Sequence, residues 1–254
     1  MELIKTVDLS KEYIRAKNKI KAVDNVNISI EKGKTYGLVG ESGSGKSTLA
    51  SMLTLLTKPT SGKILYDGKD ISTFSKEQQK EFHKKVQIVF QNPYESLNPK
   101  MKISSIIEEP LIIHNICRTK EERKYLVNEM RTMCALDSAV LDKYPAELSG
   151  GQRQRVSIAS SMILHPEFLV LDEAVSSLDV LIQAQIINIL KLMQKSMKVT
   201  YFFISHDLNV ISYVSDEIGV MYKGSIVEQG KASDILSNPS HPYTKTLFDT
   251  INLK

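Results

Sequence analysis

A loop with the composition of a polyphosphate-binding site lies at residues 40–47, which read Gly40, Glu41, Ser42, Gly43, Ser44, Gly45, Lys46 and Ser47. The glycines allow a tight curl in which successive backbone N–H groups point at phosphate oxygens. A lysine after the last glycine can reach the β- and γ-phosphates of a nucleotide, and the hydroxyl that follows can ligate Mg²⁺. We therefore predict that this loop, with Thr48 behind it, binds a nucleoside triphosphate and Mg²⁺.

The segments on either side of the loop support this interpretation. Residues 35–39 read as a buried strand and residues 46–56 as a helix, so the loop lies at a helix N-terminus, where the helix dipole favours anions. The alternative is a surface turn that is rich in glycine and serine. A strand before the loop and a helix after it make that alternative the weaker one.

A second candidate site is a pair of carboxylates, Asp172 and Glu173, which follow the apolar run 168–171. Ligands of open α/β sheets bind at the carboxyl ends of the strands. Asp172 is expected to hold Mg²⁺ as the partner of Ser47, and Glu173 to polarise the attacking water. By itself, such a run could equally be a solvated strand end, and the phosphate loop is what favours the functional interpretation.

Composition limits the classes of partner. The formal net charge is only +4, which is too mild to indicate nucleic acid. The two cysteines lack metal-ligand spacing, so a reduced compartment is expected. The N-terminus has no apolar signal region and no stretch approaches the roughly 20 apolar residues of a membrane span. Any role at a membrane is therefore expected to depend on a partner.

The element pattern divides the chain into a core, a helical insertion and a tail. Residues 1–91 and 166–236 carry strands that alternate with helices, which indicates an α/β core with a mainly parallel sheet. Residues 92–165 read as an inserted helical subdomain, and 237–254 as a short C-terminal tail. The predicted strands are 3–9, 26–30, 35–39, 63–66, 86–90, 168–171, 199–204, 217–222 and 225–229. The predicted helices are 46–56, 103–114, 119–134, 180–197, 207–214 and 232–236.

A third motif, residues 148–152, precedes an arginine-rich helical stretch and reads Leu148, Ser149, Gly150, Gly151 and Gln152. Together with the phosphate loop and the Asp-Glu pair, it resembles the signature of ATP-binding cassette (ABC) ATPases, and the resemblance covers essentially the whole chain. That resemblance implies a P-loop NTPase fold with a RecA-like core, an N-terminal antiparallel β subdomain and an inserted α-helical subdomain. It implies ATP hydrolysis, with the signature residues in contact with the γ-phosphate held by an opposite subunit. The alternative is a Gly-Gly helix start with a purely structural purpose.

Four further positions match the family pattern. By resemblance, Gln91 is the glutamine that touches Mg²⁺, and His206 is the switch histidine that contacts the γ-phosphate. Residues 176–179 match the D-loop, whose Asp179 helps to couple the two sites. Tyr13 resembles the aromatic residue that stacks on adenine, and a π face suits a purine. The alternative for Tyr13 is a buried core tyrosine.

Two segments, 89–99 and 238–244, resemble the oligopeptide, dipeptide and nickel importer ATPases. Residues 172–176 depart from the commoner Asp-Glu-Pro-Thr-Ser and resemble the second ATPase of paired systems. The resemblance implies a homologous ATPase subunit as partner, in a heterodimer, with a homodimer as the alternative. It also implies two membrane permease subunits, an extracytoplasmic substrate-binding protein and a peripheral position at the cytoplasmic face of the cell membrane. The cargo stays open between peptides and nickel or another metal chelate.

Two other classes of function are alternatives to an importer subunit. Non-transport ABC ATPases usually carry two cassettes, zinc sites or long coiled coils, and the sequence shows none of these. A sensor that only binds nucleotide is disfavoured because Glu173 and His206 are both present. For an importer subunit, Tyr94 and Leu97 are expected to anchor an amphipathic helix of the membrane protein. The alternative is that they fill the core of the helical insertion.

Overall fold

A computed structural model describes residues 1–15, 18–176 and 178–252, so Ser177 of the predicted D-loop lies outside the described residues. The chain divides into two compact units. The first comprises Met1–Phe82 and Thr200–Lys254, and the second comprises His83–Val199. The subdomain boundaries expected at 91/92 and 165/166 stay predictions.

The strands, in chain order, are β1 (Glu2–Arg15), β2 (Asn18–Val26), β3 (Ser29–Glu31), β4 (Thr35–Val39), β5 (Ser61–Tyr66), β6 (Lys69–Asp70), β7 (Val86–Val89), β8 (Phe168–Asp172), β9 (Thr200–Ile204), β10 (Glu217–Tyr222) and β11 (Ser225–Lys231). The α-helices are α1 (Lys46–Leu53), α2 (Lys76–Lys85), α3 (Pro93–Ser96), α4 (Ile103–Ile113), α5 (Lys120–Met133), α6 (Gly150–Met162), α7 (Val180–Met197), α8 (Leu208–Val214), α9 (Ala232–Ser237) and α10 (Pro242–Asn252). Short 3-10 helices occupy Ile71–Thr73, Ser138–Asp142 and Pro145–Glu147.

The first unit contains an antiparallel and a mainly parallel set of strands. The long strand β1 pairs antiparallel with β2, β3 and β5, and β5 pairs with β6. In the other set, the order is β11-β10-β4-β9. Strand β4 runs parallel to both β9 and β10, and only β11 is antiparallel to its neighbour. Every residue of β4 and β9 is buried, as expected for central parallel strands.

The second unit joins one parallel strand pair to a cluster of helices. Strands β7 and β8 pair in parallel, with Val86 opposite Phe168 and Val89 opposite Leu171. Helix α6 packs on β7 and on α3, α4, α5 and α7. Its buried residues include Val156, Ile158 and Met162, which lie on more than one side of the helix, so α6 is enclosed by these neighbours.

The predicted fold class is confirmed, because the structure has a mainly parallel core, an N-terminal antiparallel sheet and a helical insertion. Predicted elements 35–39, 180–197 and 217–222 coincide with β4, α7 and β10. The strand predicted at 26–30 is wrong, since β2 ends at Val26 and β3 begins at Ser29. Between them, the Asn27 side chain accepts a hydrogen bond from the Asp8 N–H (2.8 Å), which replaces ladder pairing there.

Five strands and α-helices were not predicted: β2, β6, α2, α3 and α10. The sequence of α2 is almost entirely polar and buries only Phe82, so it has no apolar stripe of helical period. Phe82 packs edge-on against Tyr66 and Phe74. None of the helices in the described ranges is both long and apolar enough to cross a membrane.

Candidate functional site

The predicted phosphate loop connects β4 to α1 in the first unit. Gly45 is the N-cap of α1 and has φ of 110°, a conformation that favours glycine. A Cβ at this position would lie 2.1 Å from the carbonyl oxygen of Ala22, so the site also requires the missing side chain. The start of α1 therefore presents backbone N–H groups at a helix N-terminus, which is an anion-binding arrangement.

Lys46 lies inside the loop with only 5% of its surface exposed. Its Nζ donates hydrogen bonds to the carbonyl oxygens of Gly40 and Glu41, each at 2.8 Å. Ser44 is also buried, and its hydroxyl has no hydrogen-bond partner among the described residues. A buried hydroxyl without a partner is costly, and a phosphate oxygen in the loop would satisfy it. The loop thus fits the polyphosphate that the sequence predicted.

Four other predicted residues of the first unit are accessible. Ser47 is exposed and Thr48 is half-buried in the first turn of α1. His206 is exposed and lies two residues after the end of β9. Tyr13 is 43% exposed and Lys11 Nζ lies 5.2 Å from its ring centroid, so the interpretation as a buried core tyrosine is wrong. Contact of Tyr13 with adenine stays a prediction.

The carboxylate pair lies at the end of β8 in the second unit. Asp172 is the last residue of the strand and is buried. Glu173 has φ of 48°, in the left-handed region that few non-glycine residues adopt. Gln91 Nε2 donates to Glu173 Oε2 at 3.0 Å, and Ser176 Oγ donates to the Glu173 carbonyl at 2.9 Å. The bond from Gln91 orients the Glu173 side chain, and the bond from Ser176 helps to hold its strained backbone.

The signature motif begins α6 through a reciprocal cap. Ser149 Oγ accepts from the Gln152 N–H at 3.3 Å, and Gln152 Oε1 accepts from the Ser149 N–H at 3.0 Å. Such a capping box satisfies two backbone donors of the first turn. The remaining first-turn N–H groups of α6 include those of Gly150 and Gly151, which suit a second anion-binding position.

Gly151 and Asp179 both contact Ile182 of α7. A Cβ on Gly151 would lie 2.5 Å from Ile182 Cγ2, so α6 packs on α7 only because this residue has no side chain. Asp179 is the N-cap of α7, and its Oδ1 accepts from the Ile182 N–H at 3.0 Å. Ile182 therefore links the signature motif to the D-loop within one chain.

The two residues expected to anchor a membrane partner have different environments. Leu97 is only 4% exposed, so its prediction as a surface anchor is wrong and the core interpretation holds for it. Tyr94 is 64% exposed. The Arg153 guanidinium, from α6, lies 3.6 Å from the Tyr94 ring centroid and donates to Tyr94 Oη. This contact joins the segment after Gln91 to the helix that the signature motif begins.

The phosphate loop also contacts Tyr243 of the C-terminal segment, which the sequence did not predict. The Glu41 N–H donates to the hydroxyl of Tyr243, on α10, at 3.2 Å. In the sequence, residues 238–244 stand out only as a tail motif typical of a family, and no direct signal pairs Tyr243 with the loop. That motif was nevertheless the indication that this tyrosine has a role.

Comparisons with known proteins agree with this geometry. The family model for the ABC transporter matches residues 23–176, and the model for the oligopeptide/dipeptide transporter C-terminal region matches residues 227–252. The oligopeptide transport ATP-binding protein OppF of Bacillus subtilis is 44% identical over 99% of this chain and 83% of its own length. The dipeptide transport ATP-binding protein DppF of Escherichia coli is 44% identical over 97% of this chain and 75% of its own length.

Solved structures give the same result. A dimeric post-hydrolysis state of the ATP-binding cassette MJ0796, bound to ADP and Pi, has a TM-score of 0.83 at 29% identity. The match covers 91% of this chain and 99% of that one. The cbiO1 protein from Clostridium perfringens, part of the ABC transporter complex cbiONQ, has a TM-score of 0.82 at 26% identity, over 100% and 95% of the two chains. The chain therefore belongs to the ABC transporter family and is one of its ATP-binding, ATP-hydrolysing proteins.

Proposed function

We propose that this chain hydrolyses ATP to drive the uptake of oligopeptides or dipeptides through separate membrane subunits. The observation that carries the proposal is the C-terminal match at residues 227–252 to the oligopeptide/dipeptide transporter region. The relatives named for oligopeptide and dipeptide transport support it, since they match nearly the whole chain. Nickel importers share the sequence resemblance, so nickel uptake is the alternative that the experiment must include.

In this proposal, the phosphates of ATP occupy the loop of the first unit. Backbone N–H groups at the start of α1 and the Ser44 hydroxyl donate to phosphate oxygens. Lys46 exchanges its bonds to Gly40 and Glu41 for the β- and γ-phosphates. Tyr13 presents its exposed ring to adenine.

Hydrolysis requires a metal and a base. Ser47, Gln91 and Asp172 would hold Mg²⁺, and they offer one carboxylate and two neutral oxygens, which suits an ion that keeps several waters. The bound ion would neutralise charge that develops on the phosphate oxygens. Glu173, oriented by its backbone and by Gln91, accepts a proton from the attacking water. His206 contacts the γ-phosphate.

The signature residues Ser149–Gln152 and the D-loop residue Asp179 act in the proposal on nucleotide held by an opposite subunit. The dimeric arrangement of the similar cassette supports this assignment. We propose a homologous ATPase as the opposite subunit in a heterodimer, with a homodimer as the alternative. Two permease subunits and an extracytoplasmic substrate-binding protein complete the importer, which places this chain at the cytoplasmic face of the membrane.

The proposal is tested by uptake in the source organism. A deletion strain should lose uptake of radiolabelled di- and oligopeptides and keep its nickel uptake. Plasmid-borne wild type should restore peptide uptake, and Lys46→Ala should not, because it removes the charge that faces the β- and γ-phosphates. Lys80→Ala, an exposed lysine of α2, serves as the matched control and should restore uptake. Loss of nickel uptake with peptide uptake intact would overturn the peptide assignment.

A further inference from the structure

The C-terminal segment contacts the phosphate loop through one tyrosine. Tyr243 lies in the first turn of α10, and its hydroxyl accepts a hydrogen bond from the Glu41 N–H at 3.2 Å. Glu41 is the second residue of the loop. The segment that matches the oligopeptide/dipeptide C-terminal model therefore reaches the nucleotide site within the first unit.

A ring contact and several hydrogen bonds position Tyr243 at the start of α10. Its ring lies on that of Tyr222, at the end of β10, with ring centroids 4.1 Å apart. The Glu228 carboxylate accepts from the N–H groups of Ser240 (2.7 Å) and His241 (3.1 Å). His241 Nδ1 in turn accepts from the Tyr243 N–H at 3.1 Å. These bonds and the ring contact position the start of α10 so that the Tyr243 hydroxyl faces the loop.

The rest of α10 anchors the tyrosine in the core of the first unit. Thr244 is fully buried, and Leu247 and Phe248 are buried one turn further on. The position of Tyr243 is consequently set by hydrophobic packing as well as by hydrogen bonds. The helix that carries Tyr243 is therefore anchored by buried side chains, while the Glu41–Tyr243 bond itself lies at the surface.

The backbone of Glu41 is held through both its N–H group and its carbonyl oxygen. Its N–H is bonded to Tyr243, and its carbonyl accepts from Lys46 Nζ at 2.8 Å and from the Ser44 N–H at 3.2 Å. When Lys46 turns its ammonium group toward phosphate, the carbonyl loses its charged donor. The bond from the Glu41 N–H to Tyr243 does not involve Lys46, so the exchange at Lys46 does not break it.

We propose that Tyr243 is a positioning residue that holds the first turn of the phosphate loop in its nucleotide-binding conformation. A loop that is already ordered loses less conformational entropy when it binds its ligand, and this raises affinity. The C-terminal segment thereby sets how tightly this chain binds nucleotide. The inference rests on the proposed binding of ATP phosphates by the loop.

The test compares two hydroxyl deletions in the same stacked pair. Tyr243→Phe removes the acceptor of the Glu41 N–H and keeps the ring, whereas Tyr222→Phe removes the neighbouring hydroxyl and keeps the loop contact. Affinity of the full chain for ADP is measured by calorimetry. Loss of one such hydrogen bond is expected to weaken ADP binding about three- to tenfold in Tyr243→Phe. Tyr222→Phe should stay within about twofold of wild type.

Amide hydrogen exchange separates positioning from a general loss of stability. In the nucleotide-free protein, a peptide that covers residues 40–47 should exchange faster in Tyr243→Phe, and peptides from β9 and α8 should not. A uniform rise in exchange, an unchanged ADP affinity, or equal losses in the two variants would overturn the proposal.

Lys46→Ala distinguishes failure of this inference from failure of the proposed function. If Lys46→Ala abolishes ADP binding while Tyr243→Phe binds normally, the loop binds nucleotide and the tyrosine does not position it. If Lys46→Ala binds ADP like wild type, the assignment of the loop itself is wrong.

Discussion

Gln91 and Glu173 are joined by a hydrogen bond of 3.0 Å from Gln91 Nε2 to Glu173 Oε2. They are far apart in the sequence, but each follows a strand of one parallel pair, in which Val89 lies opposite Leu171. The carboxyl ends of parallel neighbours meet at one sheet edge, so strand register brings the two side chains together. The residue that resembles the Mg²⁺-touching glutamine thus also orients the acid that we propose as the base.

Replacing Glu173 by glutamine is expected to separate binding from hydrolysis. Glu173→Gln keeps the size and the acceptor oxygen that faces Gln91, but it removes the group that takes the proton from water. Loss of a general base typically lowers the rate by about 10²–10⁴-fold. Phosphate release should fall in that range, while ADP affinity measured by calorimetry should stay close to that of wild type.

The matched control for this variant is Glu167→Gln. Glu167 forms an exposed ion pair with Lys85 at 2.8 Å, and such pairs contribute little to stability. Its phosphate release should equal that of wild type. A Glu173→Gln protein that turns over ATP within a factor of a few of wild type would show that another residue is the base.

The local parts of this site were predictable because their signals are contiguous in sequence. The strand, loop and helix around Lys46 form one uninterrupted pattern, and so do the apolar strand and the acids at 172 and 173. Strong hydrophobic runs also located α7 and β10 without error. In each case, neighbouring residues decide the structure.

The contacts that join distant segments could not be predicted in the same way. The Tyr243–Glu41 bond spans two ends of the chain and depends on how α10 packs. The burial of Leu97 depends on the helices packed around it, since its sequence neighbours Tyr94 and Ser96 are exposed. Helix α2 lacks an apolar stripe, so its sequence carries no signal of helical period.

The two signature glycines should respond differently to alanine. A Cβ on Gly151 would lie 2.5 Å from Ile182 Cγ2, and the β-branched Ile182 has a stiff χ1. Gly151→Ala must therefore shift α7 or α6, at a cost of about 1–3 kcal/mol in the free energy of unfolding. On Gly150, the nearest atom would be Leu178 Cδ2 at an ordinary 3.6 Å.

Urea denaturation of the isolated chain checks this pair. Gly150→Ala should be neutral or more stable by up to about 1 kcal/mol, because alanine is the better helix former. Gly151→Ala should lower the midpoint. Equal midpoints for the two variants would mean that α7 yields without cost and that Gly151 is not a packing residue.

Polar substitutions at Tyr94 and Leu97 should affect different properties: uptake for Tyr94 and stability for Leu97. Leu97→Ser places a hydroxyl in the core and is expected to cost about 3 kcal/mol in stability. Tyr94→Gln removes an exposed ring and its contact with Arg153, so we expect the protein to stay folded. If Tyr94 is an anchor for the membrane subunit, peptide uptake in reconstituted vesicles should fall about tenfold.

The control for Tyr94 is Tyr125→Gln, which removes another exposed tyrosine, 68% accessible, from α5. Its uptake should match that of wild type. Phosphate release by the isolated subunit should be unchanged in both tyrosine variants. Equal uptake in Tyr94→Gln and Tyr125→Gln would place the docking surface elsewhere, and loss of phosphate release in Tyr94→Gln would indicate a defect within the ATPase itself.

Complementation between two inactive chains tests whether the signature motif acts on a partner's nucleotide. Ser149→Arg puts a bulky cation at the start of α6, where the cap now holds Gln152, and spoils only the site given to the partner. Lys46→Ala spoils only the chain's own loop.

In a homodimer formed from equal amounts of both variants, half of the dimers are mixed and each contains one site with both halves intact. Independent sites should then recover about one quarter of the wild-type phosphate release. Each variant alone should release almost none, and Lys80→Ala mixed with Ser149→Arg provides the reference for a chain with an intact loop. A mixture of Ser149→Arg and Lys46→Ala that never exceeds either variant alone would show that the signature residues serve their own chain, or that both sites must be intact for turnover.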